Sequence, residues 1–275
     1  MAPVGLMVGP GTATGSTGPS PPSTNSAAPE PEAPRRGGWR TFWNVVLGID
    51  LAAIGLMLLL GIVTMAVLNL APDSDTAHRL EDGLGEVSER DLWVNSSLSF
   101  LMFAAVPFAW VLGTRTRPWE GAKRYLRLGP LLPNLGRGLL LGAGLLASVM
   151  VAILLYYAAT GGIDRLTETS KDDEVPALLR EMTWPLAIAV SVGAGVGEEL
   201  FFRGLLQRRL GMWGQAALFG LAHAGGGVLL QVGVTFAIGL LFGYLYRRGW
   251  TLGSLMVAHA SYDFMYLAIG LSARG

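Results

Sequence analysis

Apolar residues in this chain are gathered into long blocks separated by short polar stretches. A helix needs about 20 such residues to cross the roughly 30 Å hydrocarbon core of a bilayer. Blocks at about 42–70, 92–113, 136–159 and 184–202 match or approach that length, and three more follow at about 213–226, 228–246 and 251–270. The fifth is short and is interrupted by Gly225, Gly226 and Gly227, which fits a short or a re-entrant helix. Open sheet edges cannot lie in lipid, so the pattern predicts an all-α, polytopic transmembrane bundle of about seven to eight helices.

Composition agrees. The chain of 275 residues is 51% hydrophobic and 15% charged, whereas soluble domains carry roughly 25% charged residues. Residues 1–38, with runs such as PSPPSTNSAAPEPEAP, are rich in Pro, Gly, Ser and Ala and read as a disordered tail. They lack the charged-then-apolar layout of a secretory signal. The remainder, 39–275, reads as one membrane domain. A formal net charge of zero offers no basic surface for nucleic acid, and the absence of cysteine excludes disulfides, thiolate nucleophiles and thiolate-bound metals.

Basic residues set the expected orientation. Arg35, Arg36 and Arg40 precede the first block; Arg115, Arg117, Lys123, Arg124 and Arg127 follow the second; Arg208 and Arg209 follow the fourth, and Arg247 and Arg248 the sixth. The alternate loops, 71–91 and 160–183, are acidic. The positive-inside rule then predicts a multi-pass protein of a cell membrane with a cytoplasmic N-terminus and seven crossings. Segment 119–135 mixes basic and apolar residues and fits a short amphipathic helix in the interface.

Ionisable residues inside the spans carry the candidate chemistry. A charge at the bilayer centre costs about 2.5–3.5 kcal/mol on insertion scales, yet Glu198, Glu199, His223, His259 and Asp263 fall in the last four blocks. Counted from the expected cytoplasmic ends, Glu198, Glu199, His223 and His259 lie at one depth, roughly 10–15 Å in, with Asp263 a turn deeper. Glu199 and Arg203 are four apart and can pair; so are Phe219 and His223, and His259 and Asp263. Such a set is an inventory for activating water, although Glu199 with Arg203 also reads as a structural ion pair. Asp50 reads as an isolated polar group near an interface, and His78 as incidental on an outer loop. Buried acids and imidazoles would also serve an ion-coupled transporter, and a non-catalytic membrane scaffold or immunity-type protein is a further alternative.

Three short motifs sharpen the reading. EELFFR at 198–203 resembles the EExxxR motif of the CAAX-protease and bacteriocin-processing (CPBP, or Abi) intramembrane proteases. FGLAH at 219–223 is similar to their FxxxH, and HASYD at 259–263 to their third motif, HxxxN/D. The likeness is close over 190–265 and looser over 90–270. Asp263 differs from the Asn that prenyl endopeptidases of the family usually carry. The resemblance implies about eight helices around a cavity open to the cytoplasmic side. It also implies endoproteolysis of a peptide or protein substrate, lipid-modified or not, among membrane lipid.

On this reading Glu198 is the expected general base. His223 and His259 either bind a divalent metal, Zn2+ above all, or hydrogen-bond the water and the oxyanion. Asp263 either completes a metal shell with Glu198 and the two histidines or orients His259. Glu199 is a further ligand or the partner of Arg203. A metal-independent glutamate mechanism stays open beside the metal-assisted one.

Overall fold

The computed structural model describes residues 37–85, 88–159, 177–224 and 229–273, and every secondary-structure element among them is a helix. The expected disordered tail, apart from its last two residues, lies outside the described residues, as do Gly225–Gly227 and most of the loop 160–183.

Helix α1 spans Gly38–Leu70 and a short α2, Asp75–Gly85, follows. Helix α3 (Glu89–Phe100) begins on a capping box in which Ser88 and Asp91 satisfy each other's backbone donors. It runs through a π-helical turn, Leu101–Ala105, into α4 (Val106–Gly113). Helix α5 (Pro118–Leu126) ends at Arg127 in the left-handed region, and α6 covers Leu131–Ala159. After a short α7 (Ala177–Arg180), α8 (Trp184–Glu198) passes through a second π-helical segment, Glu199–Leu206, into α9 (Gln207–Ala222). Helices α10 (Leu229–Arg247) and α11 (Leu252–Ser272) complete the bundle.

Five of these helical stretches are long and apolar enough to cross a membrane: Gly38–Leu70, Glu89–Gly113, Pro118–Ala159, Trp184–Ala222 and Leu230–Arg247. The protein is a multi-pass membrane protein. Two boundaries differ from the sequence reading. Within the third stretch the long helix α6 starts at Leu131 rather than near 136, shortly after the α5 turn. The fourth runs past 202, and it is Gly211, with φ 71° and ψ −178°, that breaks it. That backbone region is essentially reserved for glycine. Phe202 and Phe219 stand nine and eight residues to either side of it, yet their ring centroids are 5.0 Å apart. At 1.5 Å per residue the two arms would separate these rings by roughly 25 Å if the helix ran straight. The chain therefore folds back at Gly211.

Glycines set how tightly the site helices meet. Helix α11 lies between α6 and α8, and in both contacts backbone meets backbone. A Cβ on Gly138 would come 2.8 Å from the Ser254 carbonyl oxygen, and one on Gly195 would come 2.6 Å from the Ala260 nitrogen. Small residues permit this approach in lipid, where dispersion rather than water expulsion drives helix association. The start of α11 is fixed by a polar knot. Thr251 caps the helix by accepting from the Ser254 N–H. Its hydroxyl, and that of Ser254, also donate to Oδ1 of buried Asn134 (2.6 and 3.0 Å), whose Nδ2 donates to the Leu128 carbonyl (2.6 Å). His259 follows two turns further along.

Candidate active site

The glutamate doublet sits where α8 passes into its π-helical segment: Glu198 ends the one and Glu199 begins the other. Segments of this kind inside α-helices recur at functional sites. Arg203 donates to Oε1 of Glu199 at 2.7 Å, and neither side chain has any exposed surface. The guanidinium carbon lies 4.5 Å from the ring centroid of Phe219 and 5.2 Å from that of Phe242. An ion pair taken out of water needs its remaining donors and acceptors met. Here Arg203 Nε and Nη2 and Glu199 Oε2 have no hydrogen-bond partner among the described residues. The two ring faces provide a partial substitute through cation–π attraction.

His259 joins this pair from α11. Its Nδ1 lies 2.9 Å from the same Glu199 Oε1, which, being a carboxylate oxygen, accepts; Nδ1 therefore carries the proton. The other nitrogen, Nε2, faces Asp263 Oδ2 at 3.4 Å and Glu198 Oε2 at 3.9 Å. One imidazole thus meets both carboxylates of the doublet, Glu199 on a dry side and Glu198 on a side that retains 20% exposure. Phe219 and Phe242 each set an edge against the His259 ring, at 6.0 and 6.2 Å. Glu198 Oε2 is buried and has no hydrogen-bond partner among the described residues.

His223 closes α9. Its Nδ1 donates to the Phe219 carbonyl oxygen at 2.8 Å, and the rings of the two residues lie 4.9 Å apart. It is within electrostatic reach of Asp263. Of the six residues singled out from sequence, Glu198, Glu199, Arg203, His259 and Asp263 meet directly. Among the described residues His223 joins them through Phe219, without a direct polar contact.

The donor chemistry suits a divalent ion. Both imidazoles have Nδ1 fixed on an acceptor, leaving Nε2 as the free nitrogen, the usual second-sphere arrangement of metal-bound histidine. The spacing does not complete a shell: among the described residues no three His, Asp or Glu side chains stand close enough together to hold one ion.

Three residues outside the motifs help to build the site. Phe242 is fully buried and touches both Arg203 and His259. Gln207 and Gln215, both buried, donate to the carbonyls of Gly243 and Gly239 and so fasten α10, which carries Phe242, to the Gly211 hairpin. Polar residues within otherwise apolar helices were the available signal for the glutamines. Phe242 lies in an apolar run that does not distinguish it. Asp50 differs from its expected place near an interface: it lies well inside α1, 7% exposed, on the face of Leu47 and Ile54, and its Oδ2 has no hydrogen-bond partner among the described residues.

Membrane-length helices thus bring two glutamates, an aspartate, an arginine and an imidazole together in one buried cluster. Residues 180–265, which hold all three motifs, match the family model for type II CAAX prenyl endopeptidase Rce1-like proteins. That match agrees with the resemblance carried by the motifs and supports a protease-type hydrolase acting at a membrane on a peptide or protein. No curated protein and no solved structure matches the chain.

Proposed function

We propose that this protein is an intramembrane endopeptidase in which Glu198 activates water to hydrolyse a peptide bond of a membrane-associated substrate. The observation that carries the reading is Glu198 Oε2. It is a buried, unpartnered carboxylate oxygen beside a histidine nitrogen whose opposite edge is held by Glu199. Such an oxygen has no internal bond to break before it accepts a proton, and low local dielectric strengthens its interactions.

In this scheme a water donates one hydrogen bond to Glu198 Oε2 and the other to Nε2 of His259, whose ring Glu199 orients from Nδ1. As the water oxygen attacks the carbonyl carbon, its proton passes to Glu198. The resulting carboxylic acid then gives that proton to the amide nitrogen as the C–N bond breaks, leaving a free amine and a carboxylic acid. His223 serves to hydrogen-bond the developing oxyanion. Glu199 and Arg203 touch no reacting atom and act as positioning residues for His259. For a Zn2+ ion to supply Lewis-acid polarisation of the carbonyl, Glu198, His223, His259 and Asp263 would have to close in from the spacing seen among the described residues. No step above depends on it.

The basic loops support an N-terminus and a site on the cytoplasmic side of a cell membrane. Purified protein in proteoliposomes, given membrane-anchored peptides with and without a lipidated C-terminus, should cleave at least one class. Glu198→Gln should abolish cleavage with expression and melting temperature unchanged. Full activity of that variant overturns the reading. Cleavage that stops after treatment with a strong chelator and returns with Zn2+ would assign the ion to the mechanism; cleavage unaffected by chelation would assign the metal-free version.

A further inference from the structure

Arg127 is the one residue other than glycine with a positive φ among the described residues, at φ 54° and ψ 48°. It ends α5 at a position where helices ordinarily carry glycine or asparagine. A side chain in this region crowds its own backbone, and such a conformation persists where the surroundings over-determine it. What holds Arg127 is the turn between α10 and α11. Its carbonyl oxygen accepts from the N–H of Leu252, the first residue of α11, at 2.9 Å. Its Nη1 donates to the carbonyl of Tyr246, at the end of α10, at 3.1 Å. Its guanidinium carbon lies 4.8 Å from the Tyr246 ring centroid. Main chain and side chain of one residue therefore grip the two ends of one turn.

Both ends lead to the acid–imidazole cluster along buried faces. Tyr246 is buried and stands one helical turn from Phe242, which touches Arg203 and His259. Leu252 and Leu255 are fully buried, and their spacing of three and seven residues from the helix start to His259 puts all three on one face of α11. How α10 and α11 leave their common turn therefore bears on the 6.2 Å between the Phe242 and His259 rings. The other polar ties act on one helix at a time. Asn134 holds the start of α11, and Gln207 and Gln215 hold α10. Arg127 holds both. Glycine would take this backbone without crowding, but it has no donor for the Tyr246 carbonyl and no charge for the Tyr246 ring. Arginine supplies both.

We propose that Arg127 is a remote positioning residue for the site: by clasping the α10–α11 turn it keeps Phe242 against His259, and His259 Nδ1 on Glu199. Its effect on turnover rests on the hydrolytic reading of that site. Arg127 touches no reacting atom, so it acts on the chemistry only through the placement of these two helices.

Arg127→Gly separates placement from stability, because it relaxes the backbone while it releases the turn. In the full chain its unfolding midpoint should stay near that of wild type. Its kcat in proteoliposomes should fall on the order of 100-fold with KM unchanged, the loss that a misplacement of about 1 Å causes. Arg127→Lys keeps a charged donor and should recover most of that loss. A second measurement needs no substrate. The chain holds three histidines, so histidine-selective NMR can follow the His259 Nδ1–H that donates to Glu199. Its downfield resonance should broaden or move upfield in Arg127→Gly and return in Arg127→Lys. Wild-type kcat in Arg127→Gly, a loss confined to KM, or a loss that only follows the folded fraction overturns the proposal. So does an unmoved resonance, or an Arg127→Lys variant no more active than Arg127→Gly. If wild-type protein cleaves nothing, the hydrolytic reading fails, and the resonance alone then decides whether Arg127 positions His259.

Discussion

Gln207 and Gln215 stand four residues to either side of Gly211, one on each arm of the hairpin, and both donate to the same neighbouring helix. Each bond is 2.8 Å long, Gln207 to the Gly243 carbonyl and Gln215 to the Gly239 carbonyl. The acceptors are four residues apart and lie on one face of α10. The close packing at Gly239, where a Cβ would sit 3.2 Å from Phe219 Cδ1, depends on the same register. Replacing both glutamines by leucine should lower stability by about 1–2 kcal/mol, since interhelical hydrogen bonds in membranes average about 0.6 kcal/mol each. Thermal unfolding in detergent checks this; an unchanged midpoint would show that the two bonds do not secure α10.

Arg203→Met should be more damaging. It leaves Glu199 charged and fully buried with only His259 beside it, and breaking a buried pair costs about 3–5 kcal/mol. The double variant Glu199→Gln with Arg203→Met removes the uncompensated charge and should recover more than half of that loss. A double variant no more stable than Arg203→Met would argue against the pair as the cause.

Phe242→Leu separates stability from catalysis. A hydrophobic swap of this kind usually costs less than about 1.5 kcal/mol, but it removes a ring shared by Arg203 and His259. On the hydrolytic reading, kcat should fall about tenfold, the equivalent of about 1.4 kcal/mol of barrier, with KM unchanged. Loss in KM alone would place Phe242 in substrate binding and sink the positioning role.

Asp50→Leu should stabilise the protein. A buried polar group without a partner costs about 1–3 kcal/mol, and Asp50 faces Leu47 and Ile54 and packs beside the Phe201–Phe202 cluster. The expected result is a higher unfolding midpoint with cleavage retained. A drop in the midpoint would mean that the carboxylate has an interaction worth more than its burial.

Much of this site was legible in the sequence because helical spacing alone decides it. The Glu199–Arg203 and His259–Asp263 pairs, four apart, both meet as expected. Counting residues inward from span ends set Glu198, Glu199, His223 and His259 at one level; the doublet and His259 do meet, while His223 has no direct polar contact with them among the described residues. What was not legible depends on tertiary packing. A π-helical segment at 199–206 has no compositional mark; it faces the other π-helical turn, with the Phe103 and Phe201 ring centroids 5.1 Å apart. Gly211 is one glycine among 38, and only its backbone angles reveal the reversal. That reversal also explains the fifth block: the helix of the fourth block runs on past 202 to Gly211 and there turns back into the stretch that ends at Ala222.

The placement of α11 bears on selectivity. With Gly138 and Gly142 of α6 on one side and Gly195 of α8 on the other, the backbone of this helix packs close against theirs and has little room to yield when a bulky chain arrives. On the hydrolytic reading it would act as the fixed jaw that carries His259 and Asp263. Adjustment to substrates of differing girth then falls to α10, whose hold on the hairpin rests on two glutamine bonds, so altered preferences should be sought first by redesigning that helix.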